Sequence, residues 1–363
     1  MSRTRGDGEI VRLVSPEPAS DREVEQTLRP ASFEEFVGQR RVVANLKTWI
    51  AAARSQRRTL DHVLFTGPPG LGKTTLANLV AREMGGRLVT SSGPVLERTY
   101  DLAGILTKLG RGDVLFVDEI HRMRKHVAEY LYSAMEDFRI EISMDEGPHA
   151  SAMSLPLQRF TLIGATTRSG LLPKPFRDRF GIQERLEPYG TDELCEIVRR
   201  SASVLGVQVA AEAGRLIAAR ARGTPRLANR YLARVRDVAQ ARGRPEITRP
   251  LAAEGLDMLG VDTEGLDAID RRLLELLGET PNQPVGLKTL AVALGEEEDT
   301  IEEVYEPYLI VRGFVRKTPR GRVLGPQGCE LLGIQPAAPS AREQQGALFP
   351  PALGADASPG LLR

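Results

Sequence analysis

The sequence predicts an α/β domain built on a parallel sheet, then a smaller all-helical domain, then a C-terminal winged-helix domain. Three observations carry this prediction. Short apolar runs alternate with helical stretches over the first half of the chain, the pattern of a parallel sheet covered by helices. Strand-like runs stop after Tyr189, and residues 191–259 show helical patterns. Residues 264–334 read as three helices followed by strand–turn–strand, the order of a winged helix.

Taken in order, residues 1–27 mix charge, Pro, Ser and Gly without a sustained period, and are expected to form a flexible arm whose last few residues pack on the body. From Leu28 a regular pattern begins. Val42, Val43, Leu46, Trp49, Ile50 and Ala53 share one side of a helix. HVLFT (62–66) is a short apolar run and predicts a strand, and TLANLVAREM (75–84) predicts a helix stopped by Gly85-Gly86. DVLFVDE (113–119) and FTLIGATT (160–167) predict two more strands. Residues 141–155 flank the turn-rich centre Asp145-Glu146-Gly147-Pro148 and predict a β-hairpin. The expected domains are therefore 28–189, 190–260 and 263–334. From Gln335 the chain is rich in Pro, Ala, Gly and Gln, so 335–363 is expected to be a disordered tail.

Composition limits the function classes. The 363 residues carry 49 Lys+Arg and 48 Asp+Glu, 41% hydrophobic residues and two cysteines. Collagen-like, disulfide-scaffold and wholly disordered chains are excluded. No run of about 18 apolar residues occurs, and residues 1–20 lack the apolar core of a secretory signal; a cytoplasmic protein with no membrane span is expected.

The net charge of +1 taken alone argues against a nucleic-acid binder, but it sums segments of opposite sign. Gly214 to Arg244 holds nine Arg and one Asp. Leu309 to Arg322 holds four Arg, one Lys and no acid, whereas Glu296 to Glu306 holds six Glu, one Asp and no base. A basic wing beside an acidic helix suits a protein that touches DNA along a narrow strip. Near-neutrality also permits like subunits to associate.

The chemistry concentrates in two motifs. Gly67-Pro68-Pro69-Gly70-Leu71-Gly72-Lys73-Thr74 fits G-x-x-x-x-G-K-[ST] between a strand and a helix. Its glycines let backbone N–H groups turn toward phosphate oxygens, and the helix N-terminus adds partial positive charge. Lys73 is placed to reach the β/γ-phosphates and Thr74 to ligate Mg²⁺. At the end of an apolar strand, Asp118 can hold the Mg²⁺ shell and Glu119 can orient or deprotonate the attacking water. Thr166 and Thr167 end a third strand, where a polar side chain can hold the water or γ-phosphate. Arg179, in Arg177-Asp178-Arg179, is a candidate arginine finger. In Gly223-Thr224-Pro225-Arg226, Thr224 reads as a helix N-cap and Pro225 as N1. Arg226 then sits in a first turn, where a cation is disfavoured unless a phosphate partners it.

With these motifs in this order the chain resembles AAA+ ATPases. It is similar in particular to the RuvB family of Holliday-junction branch-migration motors, over about Leu28 to Gly333. The stretches LRPASFEEFVGQ, TSSGPVLE, DVLFVDEIHR, AMEDF, RARGTPRLANR and TPRGR carry that likeness. The resemblance implies an α/β P-loop AAA+ domain, an α-helical lid and a winged helix, using ATP and Mg²⁺. It further implies that Leu28 and Arg29 lie against adenine and that Gly70, Lys73, Thr74 and Thr75 form the phosphate loop. Asp118 and Glu119 would be the Walker B pair, and Glu136, Asp137 and Phe138 a nucleotide-contacting segment. Thr166 would be the first sensor, Arg179 the finger, Tyr189 a junction contact and Arg226 the second sensor. Lys317, Arg320 and Arg322 would touch DNA from the wing. Glu298 departs from the family, standing where an Arg is usual. The implied partners are double-stranded DNA at four-way junctions, a RuvA-type protein docking on the 141–155 hairpin, a RuvC-type resolvase and five further copies in a hexameric ring.

Two other classes share parts of this pattern: a clamp-loader or initiator-like ATP switch acting on DNA without continuous movement, and a transcription factor reading bases. The residues 299–309 that would form the recognition helix are acidic, which suits base reading poorly. A GTPase is disfavoured, because no Asn/Thr-Lys-x-Asp motif follows the Walker B strand.

Overall fold

The structure, a computed structural model, describes residues 11–12, 25–143, 152–281 and 283–335. It divides into two compact units, residues 1–268 and 269–363.

The first unit is organised by a six-stranded parallel sheet. Its strands are β1 (Val11–Arg12), β2 (Val63–Thr66), β3 (Leu88–Ser92), β4 (Val114–Asp118), β7 (Thr161–Thr166) and β8 (Ile182–Arg185), in the order β1-β3-β4-β7-β2-β8. The apolar runs predicted as strands are β2, β4 and β7. They are central because helices bury both faces: Val63, Leu64, Phe65, Leu115, Val117, Ile163 and Ala165 are all about fully buried. The periodicity did not reveal β3 and β8, which mix polar and apolar residues. β1 lies inside the segment expected to be a flexible arm and pairs with β3 through Val11↔Val89 and Arg12↔Thr90.

The order matters for function. β2 and β7 are adjacent, with Thr66 opposite Thr166, and β4 lies on the other side of β7. The carboxyl ends of β2, β4 and β7 thus open together at one edge of the sheet, where α/β folds bind ligands. Helix Lys73–Met84 leaves the loop after β2 and ends at Gly85 in the left-handed conformation. Helix Arg40–Ser55 buries Val42, Val43, Leu46, Ile50 and Ala53 of the predicted stripe, and its Trp49 is only partly buried.

The strands β5 (Arg139–Ser143) and β6 (Ala152–Pro156) pair antiparallel, Arg139↔Pro156 to Ser143↔Ala152, as the hairpin reading expected. Its centre, residues 144–151, lies outside the described residues, as do 336–363 of the tail.

Beyond Tyr189 come helices Thr191–Val204, Ala211–Arg220, Pro225–Ala241 and Arg249–Met258. Two short strands, Gln208–Val209 (β9) and Glu246–Ile247 (β10), pair in parallel here; two-residue strands are too short to leave an alternating pattern in the sequence. Thr224 occupies the N-cap position with Pro225 in the first turn, but its hydroxyl donates to the Arg222 carbonyl at 3.3 Å rather than capping the helix.

The second unit has helix Ala268–Glu279, apart from its first residue, and helix Leu287–Leu294, then a third helical stretch from Glu298 to Val311. That stretch holds a π turn at Ile301–Tyr305 just before Glu306–Val311, which carries Pro307 in its first turn. Proline lacks the N–H and its ring crowds the carbonyl four residues earlier, so the helix widens there. Glu298 begins the stretch and is exposed, a position where a carboxylate is favoured by the helix dipole. The wing is β11 (Val315–Thr318) and β12 (Gly321–Leu324), joined by Pro319-Arg320. A further helix, Pro326–Leu332, follows, with Gly333 as its left-handed cap.

Candidate active site and wing

A cleft at the carboxyl edge of the sheet gathers residues from four parts of the first unit. Its lining includes Leu28 and Arg29 from the leading segment and Gly70, Lys73, Thr74 and Thr75 from the loop and helix after β2. Asp118 and Glu119 come from the end of β4, and Tyr189 and Arg226 from the helical part. Ten predicted nucleotide residues therefore converge, though they span some 200 positions of sequence.

Local chemistry explains the arrangement. Gly70 has φ +76°, and a Cβ there would come within 2.6 Å of the Thr224 side chain. Both facts require glycine: the backbone turn, and the approach of the helical part to the loop. Lys73 is buried, and its ammonium donates to the Gly67 and Pro68 carbonyls at 2.8 and 2.7 Å. The loop thus folds around the cation that phosphate oxygens would engage. The Tyr189 hydroxyl donates to the Leu71 carbonyl at 3.2 Å, fixing the loop from behind, and burial pushes that phenol well above its usual range.

At the end of β4, one Asp118 oxygen accepts the Glu119 N–H at 2.9 Å. Glu119 is held at φ 45°, an uncommon conformation for a residue with a side chain. Gly93 lets it happen: a Cβ on Gly93 would meet the Glu119 carbonyl at 2.3 Å. The TSSGP stretch therefore backs the acidic pair. The Glu119 carboxylate pairs with Arg122 at 3.2 Å. The oxygen donors of Thr74 and Asp118 share the cleft, a hard-ligand pair suited to Mg²⁺ that also takes phosphate and water.

Some assignments change. Thr167, not Thr166, lines the cleft. Thr167 lies just past the end of β7, while the Thr166 hydroxyl, at the strand's last residue, is engaged by His121 Nδ1 at 2.9 Å and by the Arg168 N–H at 3.0 Å. Thr166 thereby ties β7 to the segment after the Walker B strand. Glu136, Asp137 and Phe138 do not reach this cleft. Phe138 packs edge-on to Phe160 at 5.8 Å with Arg159 over its ring, and Glu136 pairs with Arg179 at 2.7 Å. Arg179 also donates to the Pro175 carbonyl at 2.7 Å and lies over the Tyr132 ring, away from the cleft of its own chain.

Other cleft residues left no sequence signal. Glu25, in the supposed arm, pairs with Arg226 at 3.3 Å and with Arg29 at 3.7 Å. A carboxylate thus meets the helix-start cation that the sequence reading reserved for phosphate. Arg200, Glu35 and Asn229 also line the cleft. In the sequence each looks like an ordinary solvated residue, because what makes it part of a site is contact across long separations.

The wing brings a second correction. Arg322 was expected to touch DNA, yet its side chain is 8% exposed. Its guanidinium donates through Nε and Nη2 to both oxygens of buried Glu306, and through Nη2 to Glu302 at 2.7 Å. It is an internal cation that neutralises the acidic helix. Lys317 is half-exposed but bound to Glu302 at 2.7 Å, and hydrogen bonds from Lys317 and then Arg322 hold the Glu302 carboxyl below its usual range despite partial burial. Arg320, at the turn, and Arg316 are exposed. Arg316 lies in the same basic run as Lys317 and carries no separate signal in the sequence.

A phosphate loop after strand β2 of a parallel sheet, an acidic pair at the end of β4 and an arginine reaching in from a helical lid define an AAA+ ATPase. The particular family follows from comparison with known proteins. Residues 28–186 match the Holliday junction DNA helicase RuvB P-loop domain, 189–262 the RuvB AAA lid domain and 263–333 the RuvB C-terminal winged helix domain. The chain belongs to the RuvB family. It is 55% identical over 324 residues to the Holliday junction branch migration complex subunit RuvB of Methanoregula boonei, covering 89% of this chain and 97% of that one. It is 52% identical over 330 residues to the subunit of the same name from Myxococcus xanthus, covering 91% and 95%. The solved structure of the Thermotoga maritima RuvB Holliday junction branch migration motor superposes with a TM-score of 0.78 at 46% identity, covering 85% of this chain and 99% of that one.

Proposed function

We propose that this protein is an ATP-driven motor subunit that drives branch migration of Holliday junctions in recombination and repair. The supporting observation is a divided catalytic set. Lys73, Asp118, Glu119 and Arg226 line one cleft, while Arg179 lies on a separate surface with Glu136. An arginine finger outside its own site is what a ring of like subunits uses, each completing its neighbour's site; the ring expected here is a hexamer. On that surface, Glu136, Asp137 and Phe138 would meet nucleotide held by the adjoining copy.

In this reading Lys73 exchanges its loop carbonyls for the β/γ-phosphates, and Thr74 and Asp118 hold Mg²⁺, which neutralises phosphate charge when bound. Glu119 orients the attacking water, and Thr167 takes the sensor position expected of Thr166. Arg226 follows the γ-phosphate from the lid, so hydrolysis changes the angle between lid (190–260) and body (28–189). The winged helix of 263–334 grips duplex DNA through phosphate contacts from exposed Arg320 and Arg316, without reading bases. A RuvA-type protein docks on the 141–155 hairpin and a RuvC-type resolvase acts on the same junction, in the cytoplasm. Among the described residues no helix is long and apolar enough to cross a membrane.

Mixing Lys73→Ala subunits with Arg179→Ala subunits tests the shared site: each alone should be inactive, and mixtures should recover part of the ATPase activity. Full activity of Arg179→Ala alone, or no recovery in any mixture, would refute it. A synthetic four-way junction with purified RuvA-type partner separates a motor from a clamp-loader-like switch, since only a motor moves strands continuously with ATP.

A further inference from the structure

We propose that Arg200 is a positioning residue for the base end of the nucleotide, acting through the backbone of the leading segment; this rests on reading the cleft as the ATP site. Arg200 reaches from helix Thr191–Val204 into the cleft beside Ile197, one turn earlier. One prong of its guanidinium donates to the Leu28 carbonyl at 2.9 Å, and the other to Glu35 Oε2 at 3.2 Å. That same Glu35 oxygen accepts the Ala31 N–H at 2.9 Å. From the opposite side, Arg82 of the phosphate-loop helix donates to the Ala31 carbonyl at 3.1 Å. The leading segment is thus strung between the lid, through Arg200, and the phosphate-loop helix, through Arg82.

The geometry requires a planar, two-pronged cation. Lysine offers a point charge on a flexible stem and cannot hold a carbonyl and a carboxylate in fixed relation. The Leu28 side chain is 2% exposed, so the segment is anchored in the core and Arg200 sets where its backbone stands against the cleft. None of these contacts involves the phosphate loop itself. Arg200 therefore acts on base binding, and the phosphate end stays with Lys73 and Arg226. It also gives the lid a second link to the nucleotide, at the opposite end from Arg226.

The test compares ATP with inorganic tripolyphosphate, which has the phosphates and no base, on the full chain with Mg²⁺. Arg200→Ala should weaken ATP binding about tenfold, the loss of one charge-assisted hydrogen bond's worth of positioning, and leave tripolyphosphate binding unchanged. KM for ATP should rise by the same factor with kcat within about twofold, and Arg200→Lys should restore only a small part. Should Arg200→Ala fail to fold, Arg200→Met, which keeps the apolar stem and removes both donors, carries the same comparison. Equal loss for both ligands, or unchanged ATP binding, overturns the proposal. Lys73→Ala distinguishes the two levels. If it binds ATP as the unaltered chain does, the ATP-site reading fails. If it loses both ligands while Arg200→Ala binds ATP normally, only the role of Arg200 fails.

Discussion

Replacing Arg322 with alanine should strongly destabilise the winged helix, and only secondarily affect DNA. Glu306 is 2% exposed, and both its oxygens face the Arg322 guanidinium. Without that cation the carboxylate is left buried and unpaired, a change that costs about 3–5 kcal/mol. A domain of this size has a total stability of roughly 4–10 kcal/mol. The loss is therefore about a third or more of what holds it together, equivalent to a fall in melting temperature of about 12–40 °C. Hydrogen exchange of the full chain, read over residues 269–335, should accelerate roughly a hundred- to several-thousandfold in the core helices. The double variant Arg322→Met with Glu306→Leu removes both charges and should recover most of the stability, because an apolar pair of similar volume replaces a buried ion pair at little loss. Arg320→Ala is the counterpart. It should leave exchange unchanged, weaken duplex binding across sequences, and lower the salt dependence by about one phosphate contact. If Arg322→Ala keeps normal protection and loses DNA binding, the reasoning is refuted and Arg322 is a DNA contact after all.

Three other outcomes are expected. Glu25→Gln should tighten ATP binding about two- to fivefold, since the partly exposed Glu25 carboxylate competes with phosphate for Arg226, and the gain should shrink in high salt; titration with a fluorescent ATP analogue checks it. Gly70→Ala should abolish nucleotide binding, because φ +76° and the 2.6 Å approach to Thr224 both oppose a Cβ, while global stability falls by only about 1–2 kcal/mol; calorimetry and melting measure the two separately. His62 should make stability pH-dependent: Nδ1 accepts the Leu162 N–H at 2.9 Å, Nε2 faces the Met135 carbonyl at 3.1 Å, and burial holds the imidazole below its ordinary value. Below pH about 6.5 the unfolded chain takes a proton that the folded chain refuses, so stability falls with pH toward the folded value by up to about 1.4 kcal/mol per pH unit. Urea midpoints between pH 7.5 and 5 test this against His62→Leu, whose slope should be shallower; equal slopes would remove His62 as the cause.

The sequence alone determined what depends on neighbours along the chain. Three apolar runs gave the central strands, the G-x-x-x-x-G-K-T loop and the Asp118-Glu119 pair gave the phosphate chemistry, and the helix–helix–helix–wing order gave the third domain. These are legible because strand pairing, loop turning and helix starts are set within a few residues. The tertiary structure decided what depends on which way a side chain faces and what lies opposite. Thr167 rather than Thr166 enters the cleft because the Thr166 hydroxyl is held by His121 and the Arg168 N–H, while Thr167 lies just past the strand end at the cleft. Arg322 is buried because Glu306 lies across from it, sixteen positions earlier. Glu25 and Arg200 join the nucleotide site because the fold brings the leading segment and the lid to one edge of the sheet. Charge in a sequence records that a side chain is ionised; only packing decides whether its partner is a phosphate, a carboxylate or water.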